Sequence, residues 1–232
     1  MKPLITKSKA LIPHQQHQED RIRFQVERMI LFTDAVFAIA ITLLILEIKV
    51  PNLDYEGLTS AKIMDALFNL QSISVWVGFF ISFWVIALYW IDHHRTFIYV
   101  DDYDGKLVFL NLLFLMSIGI MPFTSALYTR YFIFNFPTQL YCFNVAVTGL
   151  IKLWMWHYIS NPKNKICHTP IDHIKKKYYT LRSWIAPLVF ILMALITPFT
   201  DWSRLLFTGI FIFQIILGKY FERKYGLTER FK

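Results

Sequence analysis

The sequence has 232 residues, of which 56% are hydrophobic, 18% are aromatic and 17% are charged. The charged fraction lies well below the roughly 25% that is usual in soluble domains, so the composition excludes an ordinary soluble globular protein. The net charge of +8 is dispersed over short polar segments between apolar runs. This pattern favours contact with anionic lipid headgroups and argues against nucleic acid as a partner.

The chain opens with a polar stretch, residues 1–28, that we predict to be a cytoplasmic N-terminal segment. A secretory signal has a basic start followed at once by an apolar core, and this stretch has no such core. The two cysteines, Cys142 and Cys167, form no CxxC pair, so no disulfide framework is indicated.

The remainder of the chain alternates apolar runs with short polar connections. A bilayer core needs about 20 apolar residues per helical span. On this basis we predict an all-α, multi-pass membrane protein with six transmembrane helices, at residues 29–49, 69–91, 107–128, 138–159, 183–200 and 204–221.

We expect one membrane domain, residues 29–221, followed by a cytoplasmic tail, residues 222–232. The polar stretches are too short to bury a core of their own. Six spans place both termini on one side of the membrane. The segments on that side carry 19 Lys and Arg residues, against four on the other side. The excess predicts that both termini are cytoplasmic, in a multi-pass protein of the plasma membrane.

Arg28 stands just before the first span, and Asp34 is the one charged residue within the apolar run from Met29 to Leu46. The two charged residues are six residues apart, about 600° at 100° per residue, so they point in different directions. A carboxylate inside a span usually faces a protein partner or a water-filled cavity. The alternative is a purely structural role, in which Arg28 extends to the lipid headgroups and Asp34 caps the N-terminus of the helix.

A stripe of four residues, Ala35, Ile39, Thr42 and Leu46, follows one face of the first span at intervals of four, three and four. Small residues in such a stripe allow close helix packing. From the residues alone, a packing surface is more common for such a stripe than a pore lining.

No catalytic or metal-binding constellation is evident in the sequence. His93 and His94 are adjacent, and neighbours on a helix point about 100° apart, so they rarely bind one ion together. Nucleophile-elbow, HExxH and phosphate-loop motifs are absent from the sequence. We therefore expect neither a bound metal, a cofactor nor an enzymatic activity.

The run Arg28-x-x-x-Phe32-Thr33-Asp34, followed by Ala-Val-Phe-Ala-Ile-Ala-Ile-Thr-Leu-Leu, resembles the R-x-x-x-F-S-D signature of the transmembrane protein 175 family, in its prokaryotic branch. Trp90-x-x-His93 at the end of the second span is similar to the same family, as is Pro122-Phe123-Thr124 in the third. Thr33 stands where the family usually has serine, so the hydroxyl group is kept.

The resemblance implies a potassium-permeable cation channel that is a homotetramer of six-span subunits, with the first helix of each subunit lining a central pore. Carried over by position, Ile39 is an apolar constriction, Thr42 a hydroxyl layer and Leu46 a second apolar ring. The family has no carbonyl filter of the TVGYG type, and this sequence has none.

The resemblance also implies a polar network that holds the first helix near the cytoplasmic mouth. Its predicted members are Arg28, Phe32, Thr33, Asp34, Trp90 and His93. Among them, Trp90 and His93 are the expected partners of the charged residues on the first helix.

Three other classes of function remain open at this point. The first is a secondary ion transporter with Asp34 as its coupling carboxylate, although Pro122, Pro187 and Pro198 do not form the paired helix breaks of many transporters. A membrane enzyme and an accessory subunit are the others.

Overall fold

The computed structural model describes residues 13–53, 58–199, 219, 220 and 223. Within these residues the regular structure is entirely helical, with six α-helices and two short 3-10 turns, Leu44–Glu47 and Pro162–Asn164. The α-helices are α1 (Pro13–Leu43), α2 (Ser60–Phe68), α3 (Leu70–Phe97), α4 (Gly105–Arg130), α5 (Asn135–Ile159) and α6 (His173–Ile196). The predicted all-α class is confirmed for this part of the chain.

Four of the described helical segments are long and apolar enough to cross a membrane by length and composition. They are Asp20–Glu47, Ser72–Phe97, Gly105–Arg130 and His173–Ile196. Helix α5 is 25 residues long and carries the charged residue Lys152; it is not among the four. The sixth predicted span, 204–221, lies outside the described residues except for 219 and 220, so the count of six spans stays a prediction.

The largest differences between the helix boundaries and the predicted spans are at the starts of two helices. Helix α1 begins at Pro13 rather than at 29, and α6 begins at His173 rather than at 183. Hydropathy identifies only the part of a helix that suits hydrocarbon, whereas a helix continues for as long as its backbone is hydrogen-bonded. Proline suits a first helical position because its missing N–H would be unpaired there anyway.

The end of the first span also differs from its prediction. The α-helix stops at Leu43 and a 3-10 turn, Leu44–Glu47, follows, so the predicted helix to residue 49 is too long. Ile48, directly after the turn, has extended backbone angles, and no regular structure is present from there to Pro51. A short helix that the sequence did not predict, α2, then packs on α3.

Helix α4 lies at the centre of the described bundle and packs against α1, α3 and α5. Its fully buried apolar residues recur every three or four positions, which aligns them on one helical face; they are Leu107, Leu110, Phe114, Ile118 and Met121. Asp104 caps the helix, because its carboxylate accepts a hydrogen bond of 2.8 Å from the Leu107 N–H.

Helix α5 packs closely on α6 and α3 at a glycine, Gly149. A Cβ atom built on Gly149 would lie 2.7 Å from Cγ of Pro187 and 2.9 Å from the Tyr89 hydroxyl oxygen. The hydroxyl is itself held in place, since it donates a hydrogen bond of 2.7 Å to the Val145 carbonyl. Gly149 therefore sets the spacing of α3, α5 and α6.

We expect Gly149→Ala to destabilise the folded protein, because neither the proline ring nor the bonded hydroxyl can move away cheaply. Overpacking of this kind costs about 1–3 kcal/mol. Gly119→Ala is the matched control, since a Cβ on this helical glycine meets nothing within 4 Å. Thermal unfolding of the detergent-solubilised protein measures both changes. Equal melting temperatures for the two variants would contradict the assigned role of Gly149.

Candidate functional site

Helix α1 has a covered face and an uncovered face within the chain. The covered face packs on α3 and α4 and includes Phe37 and Ala40, which are 1–2% exposed; it continues into Leu44 of the 3-10 turn, which is 1% exposed. The uncovered face carries the predicted stripe as far as Thr42: Ile39 is 58% exposed, and Ala35 and Thr42 are also exposed. The last residue of the stripe, Leu46, is 67% exposed and lies beyond α1, in the 3-10 turn. An apolar helix face left open by its own chain must contact lipid, another copy of the chain or a pore.

Asp34 connects α1 to α3 through two hydrogen bonds. Its Oδ1 atom accepts one from Trp90 Nε1 and one from His94 Nε2, each of 2.9 Å. Trp90 and His94 are four residues apart on α3, so they share a helical face. The rings of the two donors also contact each other, with centroids 4.6 Å apart.

Of the two expected partners of the charged residues on the first helix, Trp90 bonds to Asp34, whereas His93 bonds to Asn111. His94 bonds to Asp34 in place of His93. Adjacent residues on a helix point about 100° apart, so only one of the two histidines can face Asp34. The choice depends on the rotation of α3, which the spacing of the residues does not define.

His93 is completely buried and forms part of a second, separate hydrogen-bond chain. Its Nε2 pairs with Asn111 Oδ1 at 3.0 Å, and Asn111 Nδ2 donates to Thr33 Oγ1 at 2.9 Å. Thr33 in turn donates to the carbonyl of Met29 at 2.9 Å. Each group donates to the next, so the chain joins α3, α4 and α1 with consistent polarity.

Aromatic rings enclose the His93 side chain. Phe97 stacks on it with ring centroids 3.9 Å apart, and Phe114 lies nearly parallel at 5.6 Å. His93 Nδ1 has no hydrogen-bond partner within the described part of the chain. A buried imidazole between phenyl rings with no carboxylate in contact suits a neutral structural side chain, and buried polar groups of this kind limit how helices can pack.

The two remaining predicted network members have different surroundings. The guanidinium of Arg28 lies 5.9 Å from the ring centroid of Phe24 on its own helix, and it forms no ion pair with any residue that the structure describes. Phe32 is 54% exposed. Neither side chain joins the hydrogen-bond chains around Asp34 and His93, so their predicted place in the network stays a prediction.

The Thr42 hydroxyl is directed back to its own helix. Its Oγ1 lies 2.9 Å from the carbonyl oxygens of both Ala38 and Ile39, so its single proton is donated to the backbone. The oxygen lone pairs then remain for an acceptor role on the uncovered face. A hydroxyl in this state can coordinate a cation but has no proton to give an anion.

Sequence reasoning missed two residues that hold the site together, His94 and Asn111. A signal for Asn111 existed, because it is an amide within the charge-free run of the third predicted span. Polar residues inside a membrane segment usually bond to a neighbouring helix. His94 carried no comparable signal beyond its adjacency to His93.

The fold and the site together define a multi-pass helical membrane protein whose first helix is anchored on one face and open on the other. Residues 28–122 match the model of the TMEM175 family, described as endosomal/lysosomal potassium channel TMEM175. The resemblance noted from the Arg28 to Asp34 signature is thereby confirmed over these residues.

The curated relatives match over less than half of the chain. "Potassium channel B446_29190" of Streptomyces collinus is 45% identical over 100 residues, which are 43% of this chain and 46% of that protein. "Endosomal/lysosomal proton channel TMEM175" of Gallus gallus is 34% identical over 109 residues, 45% of this chain and 21% of that protein. The chain spans about half or less of the length of these relatives.

One solved structure extends the similarity in fold beyond the matched segment. It is the crystal structure of a lysosomal potassium-selective channel TMEM175 homolog from Chamaesiphon minutus, with a TM-score of 0.67. The match covers 87% of this chain and 98% of that chain at 24% sequence identity. At this identity, the comparison establishes a common fold.

We expect Thr33→Val to lower the stability of the folded protein, because it removes the hydroxyl that accepts from buried Asn111 while keeping the side-chain shape. An unpaired buried amide costs about 1–2 kcal/mol. Thr33→Ser is the matched control, since it keeps the hydroxyl and loses only a methyl group. Chemical or thermal unfolding in detergent measures the difference. Greater loss in the serine variant than in the valine variant would mean that methyl packing, not the hydroxyl, matters at Thr33.

Proposed function

We propose that this chain is a subunit of a homotetrameric, potassium-permeable channel of the TMEM175 family, with α1 lining a central pore. The observation that carries the proposal is the contrast between the two faces of α1. One face is held by buried contacts to α3 and α4, and the stripe of Ala35, Ile39, Thr42 and Leu46 is left uncovered. A pore-lining helix needs this combination, because its pore side must stay open while its position is maintained.

The uncovered stripe also offers the chemistry that a cation pathway needs. In a fourfold assembly, Ile39 would form an apolar ring that excludes water and forces an ion to shed part of its hydration shell. Thr42, one turn away, would then supply oxygen lone pairs that partly replace this water. Leu46 would form a second apolar ring toward the other end of the helix.

The hydrogen bonds around Asp34 and Thr33 support the same proposal from the covered side. They join α1 to α3 and α4 at fixed positions along the helix, which fixes its rotation about its own axis. The proposed role of Thr33, Asp34, Trp90 and His93 is therefore to hold the pore helix in place, without contact to the ion. For Arg28 and Phe32 the same role is proposed from their place in the family signature alone.

Two alternatives are separated by flux measurements in liposomes. A transporter with Asp34 as coupling carboxylate predicts slow, saturating flux that depends strictly on a second ion. The geometry gives this little support, because Asp34 Oδ1 already accepts two hydrogen bonds within the subunit. The second alternative is proton conduction, since the Gallus gallus relative is named a proton channel. A proton channel predicts current along a pH gradient in the absence of potassium. The relatives are named as channels, in agreement with the prediction that the chain is not an enzyme.

We expect Ile39→Ala to raise conductance and to weaken discrimination between potassium and sodium, because the water-excluding ring becomes wider. Thr42→Ala should lower the preference for potassium with less effect on conductance, since it removes the oxygen ring but not the constriction. The measurement is the reversal potential with potassium on one side of the membrane and sodium on the other.

Ile41→Ala is the control for these variants, because Ile41 is half-buried against the core of its own subunit. Leu44 is a poor control: it is 1% exposed, and truncating a buried leucine to alanine costs about 2–5 kcal/mol. A shifted reversal potential for Ile41→Ala, with none for Ile39→Ala and Thr42→Ala, would place the pathway elsewhere.

We propose further that the protein spans the plasma membrane with residues 1–28, 92–106, 160–182 and 219–232 in the cytoplasm, on the basis of the distribution of Lys and Arg. In a Cys167→Ser background, Pro170→Cys should resist a membrane-impermeant thiol reagent added to intact cells. Ser60→Cys on α2 should react with it. Both positions are exposed, and the remaining Cys142 is fully buried. The reverse labelling pattern would invert the orientation.

A further inference from the structure

The uncovered face of α1 extends beyond the predicted stripe, toward the start of the helix. Phe24, Arg28 and Leu31 are exposed, and they precede Ala35 at intervals of four, three and four residues. At 100° per residue, the positions from Phe24 to Thr42 in this series fall within about 80° of the helix circumference. Phe24 is 58% exposed and Leu31 is 67% exposed. One uncovered face therefore runs along α1 from Phe24 to Thr42.

The opposite face of the same segment is covered by its own chain. Val26 is 6% exposed and belongs to the same hydrophobic core as Phe37 and Ala40. Two residues along a helix correspond to about 200°, so Val26 and Phe24 point in nearly opposite directions. The start of α1 is thus packed against the rest of the chain with Phe24 on the outside.

Lipid tails are a poor candidate to cover Phe24. The apolar helical segment Asp20–Glu47 has 28 residues, so it is about 42 Å long, whereas a hydrocarbon core is about 30 Å thick. Five of the nine residues from 20 to 28 are charged, which makes this end the one that projects, on the proposed cytoplasmic side. A phenyl ring exposed to water there would lose the stabilisation that burial gives it.

The two flanks of this part of the uncovered face carry opposite charges. Asp20 and Glu27 lie about 40° and 60° to one side of Phe24, and Arg21 and Arg28 lie about 60° and 40° to the other side. All four charged residues are exposed. At each of two levels, one acid and one arginine are therefore adjacent in sequence but on different flanks. The levels are seven residues apart, about 10 Å along the helix.

We propose that the cytoplasmic part of α1 is a contact surface between copies of this chain, in which Phe24 and Leu31 pack on the same residues of neighbouring copies. The inference rests on the homo-oligomer of the proposed function. Copies with one topology in the membrane have parallel α1 helices, so each level meets the same level of the next copy. The acidic flank then faces the basic flank, as in parallel coiled coils, and rotational symmetry repeats the match around the assembly.

This arrangement also provides a partner for Arg28. Its guanidinium lies 5.9 Å from the ring centroid of Phe24, and it forms no ion pair within the described part of its own chain. Between copies it would meet Glu27 of the neighbouring copy. The Glu27 side chain is still 58% exposed, although it pairs with Arg23 at 3.4 Å. The pore helix would thus be held by another copy at its cytoplasmic end as well as by α3 and α4.

The test is disulfide cross-linking of the full-length protein in membranes, with one cysteine introduced per chain in a Cys167→Ser background. Under oxidation by copper phenanthroline, we expect Phe24→Cys and Leu31→Cys to form covalent dimers of the chain several times faster than Arg23→Cys and Gln25→Cys. The two control positions are exposed, adjoin Phe24 in sequence and point about 100° to either side of it.

Charge variants test the match between the flanks. In the Phe24→Cys protein, Asp20→Arg should slow cross-linking about twofold, the effect expected for one exposed ion pair, because two basic flanks then meet. Addition of Arg21→Asp should restore the rate, since the two flanks are then exchanged and complementary again. Asp65→Arg is the matched control, because this exposed acid lies on α2, which follows the opposite end of α1 in the chain.

Equal cross-linking rates at positions 23, 24, 25 and 31, or faster cross-linking at either control position, would overturn the assignment. Slow cross-linking at all four positions would also overturn it and would mean that something other than another copy covers Phe24. Native mass spectrometry of the unmodified protein in detergent separates this failure from failure of the proposed function. A mass of four chains with equal rates contradicts only the contact surface, whereas a mass of one chain contradicts both.

Discussion

The structure depends on a constraint that hydrocarbon surroundings impose: a polar group within a membrane-spanning segment has to find its partner in the protein. Water is not available there to satisfy a lost hydrogen bond. Thr33, Asn111 and His93 meet this requirement together, since each bonds to the next across α1, α4 and α3. Hydrogen bonds have narrow distance and angle limits. These three bonded side chains therefore specify one relative position of the three helices, whereas apolar packing alone tolerates several.

This constraint explains how α1 can keep one face uncovered. Its other face is secured by buried apolar residues such as Phe37 and Leu44 and by the hydrogen bonds of Thr33 and Asp34. The apolar residues contribute most of the buried surface. The polar groups contribute less energy but determine rotation and register, because leaving any of them unpaired is costly. The function proposed for the uncovered face would therefore depend on contacts at the covered face.

Asp34 and Asp92 each hold a polar cluster on the described helices, and the partners of the two carboxylates differ. Asp34 meets one histidine and one indole, so it makes a compact contact between two helices. Asp92 meets Lys152, Arg182 and Arg95, so it joins α3 to α5 and α6. Removal of Asp92 would leave the buried ammonium group of Lys152 without this charge partner.

The sequence by itself determined the class of the protein and the location of its informative segment. Long apolar runs require helices in a bilayer, because only a helix satisfies its backbone within one segment. Each of the first five predicted spans overlaps a described helix. Within the first apolar run, the sequence also showed the unusual acid Asp34 and the stripe of Ala35, Ile39, Thr42 and Leu46 along one helical face. Helix ends were predicted less well, since hydropathy carries no information about helical turns that continue into water, as at Pro13 and His173.

Only the tertiary structure decided which side chains meet. Three contacts depend on the rotation and depth of the helices. Asp34 bonds to His94 and not to His93, and Asn111 bonds to both Thr33 and His93. Asp92 meets Lys152 and Arg182. Rotation and depth are set by side-chain packing between elements far apart in the chain, such as Gly149 against Pro187. Residue spacing within one helix defines which residues share a face, but it contains no information about the neighbour that the face will contact.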